Sequence, residues 1–353
     1  MRDGWSSTEV ATEQPQAHSS RRRRLLDLVA HFAGKRVLVV GDMVADEYIV
    51  GTPSRISREA PVLILTQSDQ YTVPGGATNP AVNARALGAE VFLAGVVGDD
   101  APGASLRACL AAQGVHMEGL FSEIRRPTST KTRILAGGTQ LVQQQMVRID
   151  KVDHSELGEE CSRDIIAYLR DMIPTIDALI FSDYDLGVIN QAIIEAALPL
   201  AREAGKIVTV DSHGDLARFQ GATALTPNQP EAEATLGLRI TDWASLEYAG
   251  FRLLHDTGAR GVLITRGSEG MSLFEQGASP HHIPASNLAE VADPTGAGDT
   301  VAATFTLALV AGGIMAEAAL LANIAAGLVV RRIGCATNTP EELSAGVATL
   351  VKD

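Results

Sequence analysis

The residues whose types and spacing best suit chemistry form one stretch, Asp293-Pro-Thr-Gly-Ala-Gly-Asp299-Thr300, which runs into a small, apolar segment. Gly296 and Gly298 let a ligand approach the backbone closely. The N–H groups of Gly296, Ala297 and Gly298 would begin a helix, where free N–H groups and the helix dipole favour an anion. A carboxylate at position 299 would repel a bound phosphate, so its presence there suggests a chemical role. That role would be to accept a proton from a hydroxyl that attacks the phosphorus. A plain helix cap explains the stretch equally well.

Further polar residues follow the first apolar run. Arg36-Val-Leu-Val-Val-Gly41 predicts a strand buried on both faces, and Asp42 stands just past its carboxyl end, where open α/β sheets bind ligands. Gly75 and Gly76 precede a helix that carries Asn79, whose amide offers both a donor and an acceptor to a polyhydroxyl compound. The alternative is a glycine-rich turn with Asn79 as a helix cap.

Two later turns also follow predicted strands. In Thr226-Pro-Asn-Gln-Pro-Glu231, Asn228 and Glu231 could orient hydrated Mg²⁺ near a polyphosphate. A helix cap with an acidic first turn explains that segment equally well. In Thr265-Arg-Gly-Ser268 the glycine, the main-chain amides and Arg266 could hold a nucleotide, and a simple β-turn is the alternative.

The elements that position these residues alternate between strand and helix. Predicted strands at residues 91–97, 115–121, 178–182, 206–210, 223–226 and 261–265 alternate with helices, and residues from 300 to 351 are helical. This pattern predicts an α/β fold with a mainly parallel sheet flanked by helices. Two β segments without helices, at about 47–73 and 128–150, predict a small β lid over the ligand edge of the sheet.

Composition narrows the classes of function. The 353 residues are 46% hydrophobic and carry a net charge of −13, which argues against a nucleic-acid surface. Residues 1–24, with Arg21 to Arg24, predict an unstructured tail, and residues 25–353 one domain. Without a long apolar run we expect no membrane span and a cytoplasmic location. Cys109, Cys161 and Cys335 suggest neither disulfides nor a zinc site. P-loop and dinucleotide motifs are absent from the sequence.

Together these motifs resemble the PfkB or ribokinase-like carbohydrate kinases, over about residues 36–351. Pro74-Gly-Gly-Ala-Thr-Asn79 is similar to the first family motif and Asp293 to Thr300 to the second, more specific one. Within the family, the resemblance is strongest to the D-glycero-β-D-manno-heptose 7-phosphate kinases, alone or as the kinase half of a bifunctional heptose enzyme. We expect no nucleotidyltransferase half to follow. The segments that carry this likeness are 54–62, 130–133, 182–184, 226–228, 265–266 and 270–273.

The resemblance implies ATP-dependent transfer of a phosphoryl group to the anomeric hydroxyl of a heptose 7-phosphate. It assigns Asp299 as the base and Gly296, Ala297 and Gly298 as the anion hole. The other implied roles are sugar binding by Asp42, Gly75, Gly76 and Asn79, sugar-phosphate binding by Lys131 and Arg133, and nucleotide binding by Asn228, Glu231, Thr265, Gly267 and Asn323. Glu231 would bind Mg²⁺ through water, and Asp293 with Thr295 would bind a monovalent cation such as K⁺.

Two departures concern the substrate. The heptose kinases have lysine where this chain has Leu186 and His213. The alternatives are therefore a kinase for another sugar, sugar phosphate or nucleoside, and a non-catalytic sugar or nucleotide sensor on the same scaffold. A homodimer formed through open lid edges is also expected.

Overall fold

The computed structural model describes residues 15–138, 141–286 and 291–351. Within these residues nine strands form a large sheet and four form a small one. In chain order the strands are β1 (Arg36–Gly41), β2 (Met43–Ile56), β3 (Leu63–Gly76), β4 (Glu90–Gly98), β5 (His116–Glu123), β6 (Ser129–Gly138), β7 (Leu141–Lys151), β8 (Ala178–Asp183), β9 (Ile207–Ser212), β10 (Ala224–Leu225), β11 (Gly261–Thr265), β12 (Met271–Glu275) and β13 (His281–Ile283).

The large sheet has the order β13-β12-β11-β10-β9-β8-β1-β4-β5. Its strands from β11 to β5 pair in parallel, while β12 and β13 add an antiparallel edge that the sequence pattern did not predict. Both faces of β1 and β8 are buried, which explains their continuous apolar sequences. The prediction of an α/β fold with a mainly parallel sheet is confirmed.

Helices cover both faces of that sheet. They are α1 (Pro15–Ala30), α2 (Thr78–Ala86), α3 (Ala101–Ala112), α4 (Glu159–Met172), α5 (Gln191–Glu203), α6 (Gln229–Leu236), α7 (Trp243–Thr257), α8 (Ala297–Val310), α9 (Met315–Val329) and α10 (Pro340–Leu350). In the part of the chain that the structure describes, none of them combines the length and apolar character that crossing a membrane requires.

Helix α1 corrects the prediction of an unstructured tail over residues 1–24. Residues 15–24 are helical, and residues 1–14 lie outside the described residues. The Arg22 side chain donates to the Val351 carbonyl at 3.1 Å, and Arg24 donates to the Gly312 carbonyl at 2.7 Å. Leu25, Leu28, Val29 and Phe32 enter the core. The helix forms because tertiary contacts add to a weak local preference.

The small sheet has the order β3-β2-β6-β7 and includes both predicted β segments. Its strands β2 and β3 are each 14 residues long and extend beyond the predicted bounds. Strand β2 follows β1 after a single residue, so the small sheet grows directly from the ligand edge of the large one. Parallel pairing of β2 with β6 places Asp46 opposite Lys131 and Tyr48 opposite Arg133.

Candidate active site

A polar cavity of about 230 Å³ lies where the small sheet meets the carboxyl edge of the large sheet. We call it the polar cavity. It brings together most of the predicted site residues from both sheets and from the starts of α2, α6 and α8. Its lining includes Gly75, Gly76, Asn79, Lys131, Arg133, Asn228, Glu231, Thr265, Thr295, Gly296, Gly298 and Asp299, together with Asp46, Tyr184, Asp211, His213, Thr226 and Cys335.

A second cavity, of about 280 Å³, lies beside the first turn of α8. We call it the apolar cavity, because small apolar residues such as Ala326, Val301 and Val330 line much of it. The predicted nucleotide residues Thr265, Gly267 and Asn323 also line it, as do Ala297 and Gly298. Thr265 and Gly298 line both cavities. The two spaces therefore meet at the start of α8.

Asp299 lies in the first turn of α8, and its side chain borders the polar cavity. Its Oδ2 accepts a hydrogen bond from Asn79 Nδ2 at 2.6 Å, and its Oδ1 accepts one from Tyr184 Oη at 2.8 Å. Burial, and then the nearby Asp211 carboxylate, raise the pKa of Asp299 to about 8. A carboxyl group with such a pKa can exchange a proton with a hydroxyl near neutral pH.

Glycine occupies positions 296 and 298 of this turn for different structural reasons. Gly296 has φ +78°, and a Cβ there would lie 2.6 Å from Asn79 Nδ2. A Cβ on Gly298 would meet no atom within 4 Å, so the space above Gly298 is open. This open space adjoins the positive end of the α8 dipole, as an anion site requires.

The main-chain donors of the turn depart from the prediction at Ala297. Its N–H donates to the Pro294 carbonyl at 3.2 Å, so it is already paired. Among the described residues, the N–H groups of Gly296 and Gly298 have no main-chain acceptor. Two of the three predicted donors are therefore available to a ligand.

Asp42 corrects the prediction of a sugar-binding carboxylate. Its Oδ2 accepts hydrogen bonds from the N–H groups of Tyr184 and Leu186, at 2.8 and 3.2 Å, and its Oδ1 from that of Val188 at 3.0 Å. Asp42 is buried and does not line the polar cavity. Burial, and then the nearby Asp183 carboxylate, raise its pKa to about 6. Its role is to shape the loop after β8.

Asp46, four residues later, lines the polar cavity instead. It is only 4% exposed, and its Oδ1 lies 3.1 Å from Arg133 NH1. The charge of Arg133 is thus offset by a buried carboxylate, which weakens the prediction that Arg133 binds a phosphate. Lys131 also lines the cavity, with its Nζ 4.9 Å from the centre of the Tyr184 ring.

The structure confirms the helix-cap interpretation of Asn228 and Glu231, and their role near Mg²⁺ stays a prediction. Asn228 caps α6 by accepting from the Glu231 N–H at 2.9 Å, and Glu231 Oε2 accepts from the Asn228 N–H at 2.7 Å. Both also line the polar cavity. Burial raises the pKa of Glu231 to about 7 and, with Glu231 nearby, that of Asp211 to about 8.

Mg²⁺ fits this concentration of carboxylates, because positive charge would relieve their mutual repulsion. In the described ranges no three His, Cys, Asp or Glu side chains group closely enough to hold a metal ion by themselves. A contact through water, as predicted for Glu231, is the form that such a site would take.

The predicted monovalent-cation residues lie beside the same turn. Asp293 Oδ1 accepts from the Thr295 N–H and Asp293 Oδ2 from the Gly334 N–H, both at 2.9 Å. The Thr295 side chain also hydrogen-bonds to the Asp293 carboxylate, and Thr295 lines the polar cavity. These oxygens fit a hard cation such as K⁺.

The two departures from the heptose kinases have different surroundings. His213 lines the polar cavity, where its ring contacts Tyr184 with centroids 4.5 Å apart and its Nε2 lies 3.5 Å from Glu231 Oε1. Leu186 is buried and lies outside that cavity. A change of side chain at position 213 therefore alters the lining of the cavity directly.

Comparison with known families agrees with this geometry. Residues 35–342 match the family model described as pfkB family carbohydrate kinase. The chain belongs to the PfkB family. It is therefore a sugar kinase, an enzyme that transfers a phosphoryl group to an alcohol.

Among curated PfkB relatives, "Bifunctional protein HldE" of Desulfatibacillum aliphaticivorans is 43% identical over 318 residues, which are 90% of this chain and 64% of that protein. The protein of the same name from Geobacter metallireducens is 42% identical over 323 residues, 91% of this chain and 65% of its own length. The chain thus spans just under two thirds of these relatives.

Solved structures show the same PfkB fold at low identity. Arabidopsis thaliana ribokinase, complexed with ribose and ATP, superposes with a TM-score of 0.66 at 22% identity and covers 91% of this chain and 99% of its own. Escherichia coli phosphofructokinase-2, in complex with substrates and products, superposes with a TM-score of 0.73 at 17% identity and covers 90% of this chain and 100% of its own. At these identities the likeness concerns the fold alone.

Sequence reasoning missed several residues of the polar cavity. Asp46, Tyr184, Asp211 and Cys335 line it without having been assigned a role. Tyr184 and Asp211 each follow the end of a predicted strand, the same signal that singled out Asp42. Cys335 lies after α9, and no motif of the sequence pointed to it.

Proposed function

We propose that this PfkB kinase transfers the γ-phosphoryl group of ATP to the anomeric hydroxyl of a heptose 7-phosphate, with Asp299 as the base. The observation that carries the proposal is the position of Asp299 and Gly298 where the polar and apolar cavities meet. An acceptor in the first cavity and a nucleotide in the second would bring their reacting ends together over the first turn of α8.

The apolar cavity suits the adenosine part of ATP. Its small apolar residues leave room for a flat base, and Asn323 is fixed by donating from Nδ2 to the Pro284 carbonyl at 2.9 Å. Thr265 ends β11 and Gly267 follows it, and both would lie along the nucleotide. The open space at Gly298 would hold the terminal phosphates, close to the N–H groups of Gly296 and Gly298.

The polar cavity suits a polyhydroxyl acceptor. Asp46, Asn79 and the main chain at Gly75 and Gly76 would bind its hydroxyl groups. Lys131 would bind the phosphate already present on the sugar, as a cation on the small sheet. The HldE relatives support a heptose phosphate as that acceptor.

In the transfer step, the acceptor oxygen forms a bond to the γ-phosphorus while the bond from that phosphorus to the bridging oxygen of ADP breaks. The hydroxyl proton passes to the Asp299 carboxylate. Because the proton leaves late in a loose transition state, orientation of the hydroxyl by Asp299 contributes much of the effect. Bound Mg²⁺ would neutralise phosphate charge, with Glu231 oriented toward its water shell.

A panel of acceptors with coupled detection of ADP tests the proposal. It would contain heptose 7-phosphate, an unphosphorylated heptose, fructose 6-phosphate, ribose and a nucleoside. Fastest turnover with heptose 7-phosphate is expected. Preference for another compound would assign the enzyme to that substrate, and no ADP release with any acceptor would favour a sensor.

We also propose a homodimer formed through the small sheet. Ile56, Met146, Val147 and Ile149 on its strands are about half exposed, at 60, 49, 48 and 55%. Apolar side chains on an open sheet favour pairing between subunits. Light scattering after gel filtration should give twice the 37.1 kDa chain mass. Ile149→Lys should yield monomers, and a wild-type monomer would contradict the dimer.

A further inference from the structure

Tyr184 joins three parts of the site. Its Oη donates to Asp299 Oδ1 at 2.8 Å. Its ring contacts the His213 ring, and Lys131 Nζ lies 4.9 Å from the ring centre, as in a cation–π contact. Lys131 belongs to β6 of the small sheet, whereas Asp299 belongs to α8. Tyr184 thus connects the small sheet to the candidate base.

The backbone of Tyr184 is fixed independently of its side chain. Its N–H donates to Asp42 Oδ2, which also accepts from the N–H of Leu186. Asp185 has φ +57°, a left-handed conformation that is uncommon for a residue other than glycine. The loop therefore holds the Tyr184 ring at a defined place, and loss of the phenol oxygen alone would leave this framework unchanged.

We propose that Tyr184 is a positioning residue: its phenol fixes the plane of the Asp299 carboxylate, and its ring transmits the position of Lys131 on the small sheet to that carboxylate. The inference rests on the proposed function, in which Asp299 is the base. Asn79 holds only Oδ2, and a second hydrogen bond at Oδ1 stops the group from rotating. Lone pairs remain on both oxygens to receive the acceptor hydroxyl.

The charges around Asp299 make this role measurable. Asp211 and Asp46 face it and raise its pKa, and it is close enough to affect Glu231 and Cys335 as well. The hydrogen bonds from Tyr184 and Asn79 lower its pKa. Removal of the Tyr184 hydroxyl group should therefore raise the pKa of Asp299 above its value of about 8. A purely structural role for Tyr184 would not produce that shift.

Tyr184→Phe is the decisive variant, because it keeps the ring and its contacts. We expect kcat to fall about tenfold, as befits a lost hydrogen bond to a charged group, with KM for ATP unchanged. In the pH profile of kcat/KM, the acid limb, where activity rises with pH, should move to higher pH. Tyr168→Phe is the matched control: its buried Oη has no hydrogen-bond partner in the described part of the chain, and neither quantity should change.

The role of Lys131 is tested by a double-mutant cycle with Lys131→Met. The shift of the acid limb that Lys131→Met produces should be much smaller in the Tyr184→Phe background, because the phenol that transmits it is gone. Additive shifts would overturn the link to the small sheet. An unchanged kcat and acid limb in Tyr184→Phe would overturn the positioning role itself.

A measurement without acceptor separates this inference from the proposed function. Titration of ¹³C-carboxyl-labelled aspartate by NMR, with Asp299→Asn to assign the signal, reports the pKa of Asp299 directly. A higher pKa in Tyr184→Phe supports the inference even if the acceptor panel points to another substrate. An equal pKa in both proteins overturns the inference and leaves the kinase assignment intact.

Discussion

The polar and apolar cavities meet at Gly298 but are built from different kinds of residue. Charged and amide side chains such as Asp46, Lys131 and Asp299 line the first. Small apolar residues, together with glycines and main-chain atoms, line the second. Burial in the first cavity raises the pKa of Asp299 and Asp211 to about 8 each. Perturbation of this size is typical of sites where protons move.

The difference indicates how each ligand would be recognised. In the polar cavity the identity of a side chain decides what binds, so one replacement, such as histidine at position 213, can change the preferred acceptor. In the apolar cavity shape and backbone decide, so many sequences could hold the same nucleotide. Binding of the acceptor should therefore be sensitive to changes of charge in the polar cavity, and binding of ATP to changes of side-chain volume in the apolar cavity.

The largest effect is expected from Asp299→Asn, which removes the base and keeps the shape of the side chain. Turnover should fall by roughly 10² or more, on the scale of general-base catalysis. ATP affinity, measured by calorimetry, should remain, because the apolar cavity is unaffected. Turnover at the wild-type rate would show that the two cavities do not meet at a catalytic carboxylate.

Gly298→Ala tests the place where the cavities join. The fold should be retained and α8 slightly stabilised, because the new Cβ meets no atom and alanine favours a helix. Turnover should nevertheless fall roughly tenfold or more, since the methyl group occupies the open space proposed for phosphate. Thermal melting and coupled assays measure both. A stable variant with full activity would place the phosphates elsewhere.

Lys131→Ala tests the charge of the polar cavity. The KM for a phosphorylated acceptor should rise about tenfold, as expected for a lost charge-assisted hydrogen bond, with little change for the unphosphorylated sugar. Arg148→Ala is the control, because Arg148 pairs with Asp150 on the exposed part of β7. Equal effects on both sugars would argue that Lys131 does not contact the phosphate.

The smallest effect concerns stability. The raised pKa of Asp299 stabilises the folded state while the group is protonated, and this contribution is lost as pH rises from about 4 to about 8. Asp299→Asn should therefore melt a few degrees above the wild type at pH 8.5, with a gain that shrinks toward pH 4. Differential scanning calorimetry without ligands measures it. A gain that grows on acidification would contradict the raised pKa.

The sequence predicted the elements with strong local signals. The strand β1 and the turn before α8 are examples, because continuous apolar runs and glycine pairs have local causes. It could not tell which carboxylate after β1 faces the cavity. Asp42 and Asp46 both follow that strand, and the outcome depends on how β2 pairs with β3 and β6, which is a long-range property.

Other features also depended on distant contacts. The Tyr184 to Asp299 hydrogen bond spans 115 residues, and helix α1 forms with help from Val351 and Gly312 near the other end of the chain. The apolar cavity is lined largely by small residues without a motif, so only family resemblance pointed to Asn323. The polar cavity was easier to predict because its chemistry restricts the residue types that can line it.

The proposed reaction transfers the γ-phosphoryl group to the anomeric hydroxyl beside Asp299. Phosphorus NMR of a reaction with heptose 7-phosphate and ATP tests it most directly. We expect ADP and a new phosphate resonance coupled to the anomeric proton, in equal amounts, and we expect Asp299→Asn to form neither at a comparable rate. A new phosphate on any other carbon, or the same product formed equally fast by the variant, would contradict it.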